Sequence, residues 1–224
     1  MNSIELANDF QKEYNPHNFS DILRLACNGI NLPGYVRDVF DIYTSRKQQE
    51  LINNIVKRLN TLENRDQYID CFKLNEMNDL MHYAFIKSTL CHKIEQIKKM
   101  ADIIIAALEN DKISYSDAEV LINIVSEMNI VEAEAFLDIY DKLKDNSKCD
   151  FEYFQKVEFK VDILSDDKYR SIVDRLVGKG LLKKTIYRSD AFWDGGSSFD
   201  DERYAYMYYG LLFLKIIYNE NINI

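Results

Sequence analysis

Apolar residues recur along this chain at helical spacing far more often than they alternate. Ile52, Ile55, Leu59 and Leu62 step by three, four and three residues. Leu90, Ile94, Ile97, Ala101, Ile104 and Leu108 step by four, three, four, three and four. Such steps put side chains on one stripe of an α-helix. The second set reads as a single helix over about 75–110 with a heptad-like seam. The stripe at 52–62 is its natural partner, which predicts an antiparallel helical hairpin inside a bundle. Val36, Val39, Phe40 and Tyr43 extend the helical region upstream towards Pro33-Gly34. Two shorter helices are expected at 3–14 and 19–28, the second stopped by Gly29.

After Ile113 the pattern changes. Ser116, three residues before Glu119, reads as a capping box for a helix that carries Val120, Leu121, Ile124 and Val125 inward to about Met128. A second helix follows over Glu132–Leu143, then a short piece at 151–157. The next helix has Tyr169, Ile172, Val173, Leu176 and Val177 at helical spacing and ends at Gly178-Lys-Gly180. Leu181–Tyr187 then reads as a strand, Arg188–Glu202 as a loop, Tyr204–Tyr208 as the returning strand of a β-hairpin and Tyr209–Tyr218 as a closing helix.

The segment "VDRLVGKGLLKKTIY", a wing-like loop, an aromatic strand and "YGLLFLKIIY" resemble a winged-helix domain over about 114–219. More loosely, over about 40–219, the chain resembles the abortive-infection alpha proteins of bacterial defence loci. The expected fold class is therefore mainly α: an N-terminal helical bundle or hairpin at 1–112, and a winged-helix-like domain with a small β-hairpin at 113–224. The wider resemblance implies a place in a bacterial or phage-linked defence or regulatory system.

Composition narrows the classes. The chain has 224 residues, 47% apolar and 29% charged, with only 7 Gly and 2 Pro. That is enough apolar material for a folded core and too little punctuation for a loop-rich or collagen-like chain. The formal charge is −9. Residues 1–113 carry 14 basic and 16 acidic groups and residues 114–224 carry 14 and 21, so the excess sits mostly in the C-terminal half. Non-specific binding to duplex nucleic acid rests on neutralising phosphates with Lys and Arg, so nucleic acid is a disfavoured partner. Cys27, Cys71, Cys91 and Cys149 form no CxxC pair and are expected to be reduced. The N-terminus lacks a basic, apolar leader, and the longest uncharged apolar run, Tyr204–Leu214, is shorter than the roughly 20 residues a membrane-spanning helix needs. No membrane partner and a cytoplasmic location are the expectations.

Two sets of candidate contact residues emerge. In a DNA-reading winged helix one helix enters the major groove and flanking cations hold phosphate. Lys168, Arg170, Arg175, Lys179, Lys183 and Lys184 would serve there. Against this, Asp190, Asp194, Asp200, Asp201 and Glu202 make the wing acidic. The alternative is a protein partner, with Phe192, Trp193 and Phe199 as aromatic anchors beside Asp194, Asp200 and Asp201. The same rings would otherwise fold back and pin the wing. The tyrosines at 204, 206, 208, 209 and 218 read as core and half-buried packing. His82, Cys91 and His92 lack the spacing of a helical metal site, and no catalytic or cofactor-binding signature stands in the chain. The leading expectation is a non-enzymatic protein-interaction or adaptor protein, with no catalytic, cofactor or metal residues. A DNA-binding regulator is the alternative, and an enzyme with a site assembled from distant residues ranks last. The helical region also offers a surface for homo-oligomerisation.

Overall fold

The computed structural model describes residues 19–27, 45–109, 113–144, 153–154, 158–160, 167–188 and 200–218. Among them the chain is mainly helical, with nine helices and one small antiparallel sheet. It divides into two compact units, Met1–Glu127 and Met128–Ile224.

The first unit holds α1 (Phe19–Cys27), α2 (Arg46–Leu59), α3 (Arg65–Cys71), α4 (Asn75–Leu90), α5 (Ile94–Leu108) and α6 (Tyr115–Glu127). Helix α5 is buried on nearly all sides, from Ile97 and Met100 to Ala107 and Leu108, which makes it the central helix. Its alanines at 101, 106 and 107 let neighbours approach closely. Helix α2 begins at a capping box in which the Ser45 N–H donates to Gln48 Oε1 at 2.7 Å. Of the expected stripe, Ile52, Ile55 and Leu59 are buried, with Leu51 beside them, whereas Leu62 lies beyond the helix end and is half-buried.

The expected continuous helix at 75–110 is two helices. Residues Cys91–Lys93 interrupt it, and Leu90 and Ile94, counted into the seam, are 55% and 43% exposed. The break has neither Pro nor Gly. It is held by Gln96, whose Oε1 accepts the N–H groups of His92 and Lys93 at 2.8 and 2.9 Å, satisfying donors that a helix start leaves open.

This break also changes the predicted pairing. Helix α2 does pack on α5, but in the same direction. Lys47 Nζ, at the start of α2, donates to the Thr89 carbonyl just before α5. Arg58, near the end of α2, meets Asp102 at 2.5 Å, well along α5. The two helices therefore run parallel, not antiparallel. The start of α2 also meets the end of α4: Gln48 Nε2 donates to the carbonyl of Phe85, late in that helix, at 3.2 Å.

Helix α6 packs on α4 and α5 and so completes the first unit. The unit boundary is at 127/128, where the change of apolar pattern after Ile113 suggested 112/113. The cap of α6 also lies earlier than the Ser116–Glu119 box: Ser114 Oγ accepts the Asp117 N–H at 3.1 Å and donates to its carboxylate at 2.7 Å.

The second unit holds α7 (Ile130–Leu143), β1 (Phe159–Lys160), α8 (Asp167–Gly178), β2 (Leu182–Arg188), β3 (Asp200–Tyr206) and α9 (Tyr208–Ile217). The sheet order is β1-β3-β2, antiparallel throughout, with Leu182 opposite Tyr206, Lys184 opposite Tyr204 and Arg188 opposite Asp200. Strand β1 was not foreseen; Phe159 pairs with Tyr204 in register and stacks on it at 5.7 Å. Strand β3 begins inside the expected loop and ends at Tyr206 instead of Tyr208, because α9 starts there.

Helix α8 ends in a Schellman motif. The Leu181 N–H returns to the Leu176 carbonyl and the Gly180 N–H to Val177, with Gly180 at φ 72°. The Leu181 carbonyl then accepts the N–H of Met207, at the entry to α9. A Cβ at Gly210 would stand 2.3 Å from that carbonyl oxygen, so only glycine fits. The core is aromatic: Phe136 meets Tyr206 and Phe213 edge-on at 5.2 and 5.8 Å, and Tyr140 lies 5.3 Å from Phe154.

Candidate functional site

Six cations were candidates for contacting phosphate. Lys168 lies on α8 and Lys183 stands exposed on β2. The other four, Arg170 and Arg175 on α8, Lys179 just past its end and Lys184 on β2, each meet a carboxylate of the same unit.

The first group joins α8 to the hairpin. Arg170 pairs with Glu202, and Lys184 Nζ lies 3.1 Å from Asp174 and 3.2 Å from Glu202. Tyr204 adds its phenol to Glu202 at 3.3 Å and its ring beneath the Lys184 ammonium at 5.6 Å. Burial opposes the ionisation of Glu202, but hydrogen bonds from Arg170 and Lys184 outweigh it and hold the carboxyl below its ordinary range. For Lys184 burial opposes the charge, and the bonds to Asp174 and Glu202 prevail, raising the ammonium above its ordinary range. Glu202 was assigned to the acidic wing tip. It belongs to the strand, where it neutralises two cations.

The second group joins α7 to α8. Glu132, 2% exposed, takes Arg175 Nε on one oxygen at 2.8 Å and Lys179 Nζ on the other at 3.8 Å. The second oxygen also accepts the Asn129 N–H at 3.0 Å, while Asn129 Oδ1 accepts the Glu132 N–H at 2.9 Å. One carboxylate therefore caps α7 and neutralises the end of α8. At the other end of the pair, the Tyr169 phenol bonds to the Ala135 carbonyl and to Asp138, both at 3.2 Å. Burial and that carboxylate push it up to about 12. These contacts run α7 and α8 antiparallel.

Neither Glu132 nor Asn129 was singled out as functional from the sequence. The signal was Asn129-x-x-Glu132, a capping pattern, whose second use appears only when α8 lies alongside.

On the open face of the sheet, Tyr187 donates to Glu158 at 2.9 and 3.0 Å, and Arg203 stacks over the Tyr187 ring at 4.8 Å. Tyr204 and Tyr206 are buried, as expected of core packing, and the Tyr206 phenol donates to the Phe136 carbonyl at 3.1 Å.

Of the aromatic and acidic set, Phe192, Trp193, Asp194 and Phe199 lie outside the described residues. Asp200 and Asp201 are on β3, opposite Arg188 and Tyr187.

The unit boundary also redistributes the charge. Asp117, Glu119 and Glu127 belong to the first unit, so the net charges are −5 for residues 1–127 and −4 for 128–224. Divided at this boundary, the acidic excess is shared about equally between the two units.

Beside the Glu132 cluster a groove of about 340 Å³ is lined by Asn129, Ile130, Val131, Ser171, Ile172 and Arg175. Among the described residues, no group of three His, Cys, Asp or Glu side chains is placed to hold a metal, and no helix is long and apolar enough to cross a membrane. Cys27, Cys71 and Cys91 are free thiols; burial pushes Cys91 up to about 11. Compared with family models, curated proteins and solved structures, the chain matches none.

Proposed function

We propose that the chain is a non-enzymatic protein-interaction or adaptor protein, its second unit a winged-helix-like domain that meets a protein and not DNA. The order of α8, β2, β3 and α9, with β2 and β3 antiparallel, supports the winged-helix part of this reading. The observation that carries the rest is the pairing of Arg170, Arg175, Lys179 and Lys184 with Glu132, Asp174 and Glu202.

Phosphate binding would have to draw these cations from their partners. For Glu132 that means a buried carboxylate losing its counter-charge, a change that costs about 3–5 kcal/mol when such a pair is broken. A few phosphate contacts on an acidic chain offer little to offset it at physiological salt. Four of the six candidate cations thus serve the unit's own helices and sheet.

The test is a pair of measurements on the full chain. In a gel-shift with duplex DNA at about 0.15 M salt no tight complex is expected, and affinity purification from the native host should recover a stable protein partner. Tight duplex binding with a steep salt dependence would overturn the reading.

A further inference from the structure

Among the described residues, the most exposed large apolar side chain is Ile86 of α4, at 65%. Leu90, one turn later on α4, and Ile94, across the Cys91–Lys93 turn, are also exposed. A lone exposed isoleucine is ordinary, whereas several together mark a surface that meets something. The helices beside α4 leave this strip open between them. On one side the Phe19 ring of α1 meets His82 and Phe85 at 4.8 and 5.4 Å. On the other, Tyr83 and Lys87 both donate to Asn123 Oδ1 of α6. A helix turns about 100° per residue, so Phe85 and Lys87 flank Ile86, while Asp79 and Leu90 lie within about 40° of it. Asp79, Ile86 and Leu90 therefore form one strip with α1 and α6 as its banks.

The two ends of the strip carry opposite charge. Asp79 stands two turns before Ile86, and Lys93 follows Leu90 in the turn. Both are exposed, and among the described residues neither has an ion-pair partner, unlike Arg175 or Lys184 of the second unit. A strip that is acidic, then apolar, then basic complements itself when reversed. Asp79 lies about 10 Å along α4 from Ile86, and Lys93 lies one helical turn and three residues beyond Ile86 on the other side. Reversing a second copy about Ile86 brings each Asp79 towards the other's Lys93 and each Leu90 towards the other's His82. A parallel pairing would set like charge against like.

We infer that this strip is where two copies of the chain meet, their α4 helices antiparallel about a two-fold axis at Ile86. The contact is isologous: Asp79 of each copy faces Lys93 of the other, and the apolar side chains between them bury one another. The inference goes beyond the reading of the second unit and does not rest on it.

The experiment is sedimentation equilibrium of the full chain up to about 0.3 mM, with circular dichroism and thermal midpoints as controls of the fold. The unaltered chain should dimerise with a Kd in the micromolar range. Ile86→Lys, at an exposed site where lysine is a good helix former, should fold normally and raise Kd about tenfold or more. Asp79→Lys and Lys93→Glu should each raise it about tenfold, because each sets like charges together twice across the axis. Mixed in equal amounts, these two single variants should form dimers as tight as those of the unaltered chain. Each copy then meets an opposite charge at both ends, a recovery that a merely structural effect of either change does not produce. A chain monomeric at about 0.3 mM, association that Ile86→Lys leaves unchanged, or a mixture no tighter than its components overturns the inference. So does a monomer that Ile86→Lys destabilises by several degrees, which would assign the strip to another segment of the same chain. So does a chain that stays monomeric alone and captures a different protein through Ile86. None of these outcomes touches the reading of the second unit, which the DNA and partner measurements decide.

Discussion

Glu132 and Arg175 meet at 2.8 Å, a buried carboxylate from the first turn of α7 against a half-exposed guanidinium near the end of α8. The same carboxylate closes the capping box with Asn129. Two roles on one side chain separate in a simple substitution series. Glu132→Gln can still accept the Asn129 N–H but not neutralise Arg175 and Lys179, whereas Glu132→Ala loses both. Alanine should cost about 2–4 kcal/mol, with glutamine cheaper by roughly the value of a cap, about 1 kcal/mol. Urea unfolding of the two variants measures the gap; equal losses would show that the cap contributes nothing.

The three glycines around the α8 exit should respond differently to alanine. Gly210→Ala drives a Cβ to 2.3 Å from the Leu181 carbonyl oxygen and should cost about 3 kcal/mol or prevent folding. Gly180→Ala must hold φ near 72° and should cost about 1–2 kcal/mol. Gly178 has open space and a helical backbone, so Gly178→Ala should stabilise by about 0.5–1 kcal/mol. The order of the three thermal midpoints decides it.

Acid should weaken the α8–hairpin contact. The Glu202 carboxyl is held below its ordinary value of 4.5 in the folded chain, so its stabilisation is complete above that value and is lost as pH falls through the lower, folded one. Glu202→Gln should flatten this part of the acid slope in urea midpoints measured from neutral pH to pH about 3. An unchanged slope would assign the loss to other carboxylates. Lys184, raised above 10.5, acts in the opposite sense: its contribution is present below 10.5 and fades only at more alkaline pH.

The thiols differ in the folded chain. Cys91, buried beside Met100 at 3.8 Å, is pushed up to about 11 and should resist alkylation at pH about 8 until the protein unfolds. Among the described thiols Cys71, half-buried, should react before Cys27 and Cys91. Iodoacetamide labelling followed by peptide mapping gives the two rates; faster labelling of Cys91 in the native state would refute its burial.

The turn at Cys91–Lys93 depends on one side chain. Gln96→Ala removes the acceptor for two backbone N–H groups and should cost about 1 kcal/mol. Gln96→Glu keeps the acceptor but loses the Nε2 donor to the Val125 carbonyl, 2.9 Å away, so any recovery over alanine measures the cap alone. Chemical denaturation of the pair tests this.

The amino-acid sequence by itself determined the helical character, most element positions and the buried faces. Those follow from local spacing: the stripe at 51–59, Ile172, Val173 and Leu176 on α8, and Gly180 as a stop, all encoded within a turn or two of chain. What it could not express was direction and pairing. The seam at 90–108 looked continuous because a Gln at the third helical position is an ordinary helix former. In the fold its bond back to His92 and Lys93 holds a break there, and α5 runs parallel to α2. The basic residues of α8 and β2 looked free because their partners, Glu132 and Glu202, lie tens of residues away along the chain. Tertiary structure decided that these charges meet each other, since a cation's availability depends on which carboxylate the fold brings within about 4 Å, and no local pattern carries that distance.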